Sequence, residues 1–316
     1  MGRPTLMRAM DRLKRDGFLR SDSTRGTFVS STPPHLHRFG VVFCSAPTRR
    51  GLGGWNRFWA AISDEAQVEH HQSHREVVCY YGVCDGTSDS LQTLQADLAH
   101  DRLAGLIIVG SFQLMQMASV IEAPVRKVAI FDGVDAGHIP HVYVDHGSFM
   151  TKATEYLLGR NRTRIAVIRN ETDGFASLLD RALAAGANSR PFWSLSASGL
   201  HPASAVNIVR VLFDRPQAER PDALVITDDN LVEHVLSALI SAGISVPDDL
   251  EVVAHCNWPA PVGSVLPVKR LGYDVGELMS VCVRLLERSA SPDPGTKLLI
   301  PARFEEEIGR AKLSDR

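Results

Sequence analysis

The sequence has no apolar run approaching the ~18 residues of a membrane span, and its opening MGRPTLMRAM holds no apolar core of signal-peptide length. Both absences point to a cytoplasmic protein with no membrane partner. The five cysteines, Cys44, Cys79, Cys84, Cys256 and Cys282, are odd in number, widely spread and contain no CxxC pair. That pattern argues against a disulfide framework or a zinc site and predicts reduced thiols. No GxSxG elbow, P-loop or HExxH occurs, so nothing marks the chain as an enzyme, and no cofactor or metal is expected.

Net charge is also small, −2 over 316 residues, but it is unevenly placed. Residues 1–38 carry eight Arg or Lys against three Asp, whereas the remainder carries 26 basic against 33 acidic residues. A basic head on an acidic body suits contact with a polyanion, and equally a solvated charged arm. Within residues 1–31, Leu6, Ala9, Met10 and Leu13 mark one helical face, Pro4 suits the first turn, and Gly17 ends the helix. Short strands are expected at 18–20 and 27–29, followed by a linker over 32–37 rich in Ser, Thr and Pro.

From Phe39 onward, short apolar strands alternate with amphipathic segments of helical length, in two successive series. Strands are expected at 39–44, 76–81, 105–109, 127–131, 164–168, 191–195, 223–227 and 250–255. Helices are expected at 55–68, 88–99, 114–121, 148–158, 175–185, 203–213 and 230–242. This alternation predicts an α/β fold of two lobes with parallel sheets, and ligands in such sheets bind beyond the carboxyl ends of the strands. The expected site is therefore the cleft between the lobes. Ser45 follows the first strand, and the glycine-rich loop ahead of Trp55 could supply a pocket wall with Phe58 on the next helix. The pair His70 and His74 has metal-ligand spacing on a helix, but a solvated helix end is the better account of it.

Gly2-Arg3-Pro4-Thr5 through Ala9, Leu13 and Gly17-Phe18-Leu19, then Arg25-Gly26-Thr27-Phe28-Val29, resembles the recognition helix and wing of the GntR regulators. The resemblance implies DNA contacts from Arg3, Thr5, Arg8, Arg25 and Gly26. It also implies two further helices ahead of this point in the complete winged-helix module, so the head is expected to be partial and to bind DNA poorly as it stands.

The body, residues 38–308 ahead of a tail at 309–316, resembles the effector-binding domain of the LacI/GalR regulators, which has a periplasmic-binding-protein-like fold. The resemblance rests on Val142-Tyr143-Val144-Asp145, on Arg164-Ile165-Ala166-Val167-Ile168, on Pro221 through Asp229 and on Gly243 through Leu250. It implies a dimeric, ligand-responsive transcription regulator whose partners are operator DNA and a small effector, a sugar or related polar compound. A GntR-type head on such a body resembles the arabinose-type repressors. The implied ligand contacts are Asp145, Phe175, Asp229, Asn257 and Trp258, with helix capping as the structural alternative for Asp145 and Asp229. Two anchors depart from the family pattern: Glu171 replaces an Arg ahead of Gly174-Phe175, and Ala254-His255-Cys256 replaces Gly-Phe-Asp. Both changes point away from an ordinary sugar, to a cationic or more apolar effector or to a pocket that has lost ligand binding. The alternative function is a solute-binding protein with a vestigial head.

Overall fold

In this computed structural model the described residues are 3–47, 56–72, 75–85, 88–110, 114, 116–130, 139–170, 183–198, 201–213, 219–287 and 295–308. The chain divides into two compact units. The first comprises residues 1–47, 62–142 and 279–298; the second comprises 48–61, 143–278 and 299–316.

The head belongs to the first unit. Its helix Arg3–Arg15 ends at Gly17, whose φ of +83° carries the backbone through the left-handed region that glycine tolerates best. A two-stranded antiparallel ribbon follows, β1 (Leu19–Asp22) with β2 (Gly26–Val29). Gly26 at φ +102° and the Asp22 carboxylate, which accepts the Thr24 and Arg25 amides, shape its turn. The helix buries no residue, and Leu6, Met7 and Leu13 are exposed.

The first unit's main sheet contains β3 (Arg38–Phe43), β4 (Glu76–Tyr80), β5 (Gly105–Val109), β6 (Lys127–Ile130), β7 (His141–Val144) and β13 (Lys297–Ile300), in the order β13-β7-β6-β5-β3-β4. The pairings from β4 to β7 are parallel. All five residues of β5 are buried, as expected for a strand covered on both faces. The intervening helices are Arg57–Gln72, Asp89–Ala99 and the single turn Ala118–Ile121. Ser88 caps the second of these by accepting the Leu91 amide.

The second unit repeats the plan with β8 (Ile165–Asn170), β9 (Ser194–Ala197), β10 (Ala223–Ile226), β11 (Glu251–Trp258), β12 (Lys269–Asp274) and β14 (Arg303–Phe304). The order is β14-β12-β11-β10-β8-β9, and only the β12–β14 pairing is antiparallel. Helices His146–Gly159, Ala205–Phe213, Asp229–Ser241 and Val275–Glu287 accompany it. One face of this sheet packs Leu224 and Ile226 with Trp193, Val209 and Leu236; the other packs Val225 and Val253 with Phe149 and Leu157. Truncating any of these to Ala costs about 2–5 kcal/mol.

Several expectations need correction. Cys44 and Cys84 form a disulfide, not two reduced thiols. Neighbouring parallel strands β3 and β4 end side by side, and the Cys84 amide bonds to the Cys44 carbonyl at 3.0 Å, which brings the two Cα atoms within 4.8 Å. Cys79, Cys256 and Cys282 are free. The strand expected at 191–195 begins only at Ser194, because Pro191 starts a 3₁₀ turn that runs to Trp193. Within the helix expected at 114–121, Leu114 and Ala118–Ile121 are helical, but the described residues Gln116 and Met117 between them are not. Most of the helix expected at 175–185 lies outside the described residues. β11 continues to Trp258, past the expected end at 255, because β12 extends its pairing through Trp258 opposite Asp274.

Candidate functional site

In the second unit β8, β10 and β11 run parallel in adjacent positions, with Ile226 opposite both Ile168 and Ala254. Residues just beyond these three therefore emerge along one edge of the sheet. Asn170 comes from β8, Thr227-Asp228-Asp229 follow β10, and Asn257 comes from β11.

These side chains form a compact polar cluster. Asp228 is the N-cap of helix Asp229–Ser241: its Oδ1 accepts the Asn230 amide at 2.8 Å and Asn230 Nδ2 at 2.7 Å. Its Oδ2 accepts from Asn170 Nδ2. Asn230 Oδ1 in turn accepts the Arg57 backbone amide at 3.1 Å. Because capping falls to Asp228, the Asp229 carboxylate is left for another role, and its Oδ2 accepts from Asn257 Nδ2 at 2.7 Å. Asp229 and Asn257 are 3% and 1% exposed, and Asn257 Oδ1 has no hydrogen-bond partner among the described residues.

Burial first, and the adjacent Asp228 charge second, push the Asp229 carboxyl up to about 7, against the pull of the Asn257 hydrogen bond. Near neutral pH its proton is therefore readily exchanged. Protonated, the group both donates and accepts; ionised, it only accepts. Such a cluster suits reversible recognition of hydroxyl or amine donors.

A second group of side chains stands nearby on β11 and β12. The buried His255 ring packs against Tyr273 and Phe149, with centroids 5.4 Å and 5.7 Å away. Burial, and then the neighbouring His146, hold the His255 imidazole down to about 3, so it stays neutral. Tyr273 Oη lies 3.3 Å from His146 Nδ1.

The sequence-derived candidates separate clearly. Asp229 and Asn257 come together. Asp145 caps helix His146–Gly159 by accepting the Ser148 amide at 3.0 Å. Trp258 is buried beside Cys256 and Ile308, and its indole N–H donates to the Arg303 carbonyl. Ser45, beyond β3, and Phe58, on helix Arg57–Gln72, are half-buried. Trp55, Glu171 and Phe175 lie outside the described residues. His70 accepts the Val77 amide through Nδ1, while His74 is outside the described residues. Arg3, Thr5, Arg8, Arg25 and Gly26 are all exposed on the head. Asn170 and Asp228 were missed as site residues; their signal was position, since both lie at carboxyl ends of buried parallel strands.

Residues 154–304 match the family model described as a periplasmic binding protein-like domain. The chain is 25% identical over 213 residues to the HTH-type transcriptional repressor PurR of Aliivibrio fischeri (strain MJ11), covering 62% of this chain. That match spans 60% of the relative's length. Among solved structures, a regulatory protein of the LacI family from Chloroflexus aggregans gives a TM-score of 0.66 at 17% identity, over 84% of this chain and 96% of that one. The transcriptional regulator CelR in complex with cellobiose gives 0.63 at 20% identity, over 96% and 90%. The chain therefore has the α/β, parallel-sheet fold of LacI-family regulators, and the residues that match the periplasmic binding protein-like model lie mostly in its second unit.

Proposed function

We propose that this protein is a ligand-responsive transcription regulator whose effector is held at the strand-end cluster of Asp229 and Asn257. The observation that carries this reading is the nearly complete burial of Asp229 and Asn257 beside Asp228, with Asn257 Oδ1 left unpaired among the described residues. Buried polar groups without partners are costly, and a ligand donor would satisfy them. The similarity to PurR and to CelR supports a small polar effector and operator DNA as partners. Arg3, Thr5, Arg8, Arg25 and Gly26 are the proposed DNA contacts, on a head whose helix and ribbon follow the winged-helix order. The protein acts as a homodimer, without catalysing a reaction. The effector alters operator affinity only to the extent that it binds the two functional states unequally.

Calorimetric titration with sugars, polyols and amines tests the ligand site. Asp229→Asn and Asn257→Ala are each expected to weaken the effective ligand by about ten-fold or more. Unchanged affinity in both variants would overturn the assignment. A gel shift with DNA from around the protein's own gene tests the head, and Arg3→Ala is expected to lower the salt slope by about one. The competing reading, a solute-binding protein with a vestigial head, draws on the absence of any buried residue in helix Arg3–Arg15. It predicts ligand binding that leaves DNA affinity unaltered.

A further inference from the structure

Donors and acceptors in the strand-end cluster do not balance. Each of its side-chain amides already donates to a carboxylate: Asn170 and Asn230 to Asp228, and Asn257 to Asp229. What remains on the Asn257 amide is an acceptor, the buried Oδ1 without a hydrogen-bond partner among the described residues. Charge is equally one-sided. Asp228 and Asp229 are adjacent and only 8% and 3% exposed. Arg57 acts on Asp229 through its charge, yet its exposed guanidinium pairs with Glu233 at 3.4 Å. Arg169, on β8, donates to the Asn170 carbonyl at 3.4 Å, and β10 lies between its strand and that of Asn257. His255 and Cys256, which precede Asn257, are both held neutral by burial.

A hydroxyl would satisfy the Asn257 oxygen, but it brings further lone pairs into a site already rich in acceptors and leaves the aspartate pair uncompensated. An ammonium brings three donors, no acceptor and a positive charge. We propose that the effector binds here through a protonated primary amine, which donates to Asn257 Oδ1 and to Asp229 while the Asp229 proton leaves for solvent. This rests on the effector site proposed above and names the chemistry that the site takes. Burial and the Asp228 charge push the Asp229 carboxyl up to about 7, so at pH 6 it is mostly protonated. A cation beside it favours the ionised form. Binding therefore expels a proton below pH 7 and almost none well above it. The ammonium keeps its own charge over this range, since an alkyl amine titrates at about 10.

Calorimetric titration of the full chain with butylamine, butan-1-ol, butyltrimethylammonium and xylitol, at pH 6 and pH 8 and in buffers of differing ionisation enthalpy, tests the proposal. Butan-1-ol lacks the charge, and butyltrimethylammonium lacks the N–H donors. Butylamine is expected to bind at least about ten-fold tighter than either at pH 8. Its affinity should rise about ten-fold from pH 6 to pH 8, with about 0.9 proton released to buffer at pH 6 and about 0.1 at pH 8. Asp229→Asn, which keeps an acceptor without the charge, abolishes the proton release and the preference over butan-1-ol. Asn257→Ala narrows the advantage over butyltrimethylammonium. Affinity independent of pH with no proton released, equal binding of butylamine and butan-1-ol, or no saturable binding of butylamine at millimolar concentration would each overturn the inference. Xylitol separates its failure from that of the site. Asp229-dependent binding of xylitol without any of butylamine removes the amine and leaves the effector site standing, whereas no Asp229-dependent binding of either removes both.

Discussion

Arg102 joins two carboxylates from separate parts of the first unit, with Nη2 2.6 Å from Asp16 Oδ1 and Nη1 3.1 Å from Asp97 Oδ1. Asp16 immediately follows the head helix, whereas Asp97 lies in helix Asp89–Ala99 and also accepts the Tyr80 hydroxyl. The two aspartate side chains are only 10% and 6% exposed. The bridge therefore attaches the head through charge in a place where apolar packing contributes little.

Replacing Arg102 with Met leaves two poorly solvated carboxylates facing each other. The expected loss is about 2–3 kcal/mol, discounted for the partial exposure of Arg102. Urea melts at neutral pH measure it, and limited proteolysis after Arg15 or Arg20 should accelerate. A variant that melts with wild type and resists cleavage equally would show that the bridge contributes nothing to holding the head.

Asp229 predicts a stability change of unusual sign. Its folded carboxyl titrates at about 7 against an ordinary 3.8, so the folded state holds its proton more tightly than the unfolded chain. Stability from this group is highest below about pH 4 and falls as pH rises towards 7. Asp229→Asn keeps an acceptor for Asn257 and removes the charge. It should gain on wild type by a few kcal/mol at pH 8, on the order of the linkage energy, and by less than about half as much at pH 5. Equal differences at the two pH values would contradict the burial of a charged carboxylate.

His255 works in the opposite direction. Its imidazole is held down to about 3 from 6.5, so its contribution is fully present above pH 6.5 and is lost as pH falls towards 3. His255→Gln, neutral throughout, should show a flatter acid limb in circular dichroism melts over that range. Parallel acid limbs in the two proteins would mean that the ring is not buried neutral.

Gly272 gives a steric test beside the strand-end cluster. A Cβ at this position would lie 1.8 Å from the Cys256 carbonyl oxygen, a backbone atom that cannot turn aside. Gly272→Ala should therefore cost more than about 3 kcal/mol and disturb Asn257, which follows Cys256 on β11. Gly263→Ala, with nothing within 4 Å of its Cβ, should stay within about 0.5 kcal/mol of wild type. Similar melting of both variants would contradict the β11–β12 approach.

Much of the fold was legible because buried parallel strands read as continuous apolar runs. Gly105–Val109 and Ala223–Ile226 fall within a residue of their expected limits. Periodicity could not locate features that depend on which strands become neighbours. The Cys44–Cys84 bond is one, since it requires β3 beside β4. The extension of β11 through Trp258 is another, because β12 supplies the pairing. At the strand-end cluster, Asp229 and Asn257 were recognised by resemblance. The division of labour between Asp228 as cap and Asp229 as acceptor from Asn257 depends on the backbone staying extended at Asp228 and turning helical at Asp229. Adjacent identical residues give no sequence signal for that choice.

Neither unit is a continuous stretch of chain, and this orders events during synthesis. The first sheet includes β13, at residues 297–300, although its other strands are complete by residue 144. The edge of β7 must therefore wait, unpaired, while the ribosome makes more than a hundred and fifty further residues. Until then the nascent chain presents an open backbone edge to its surroundings.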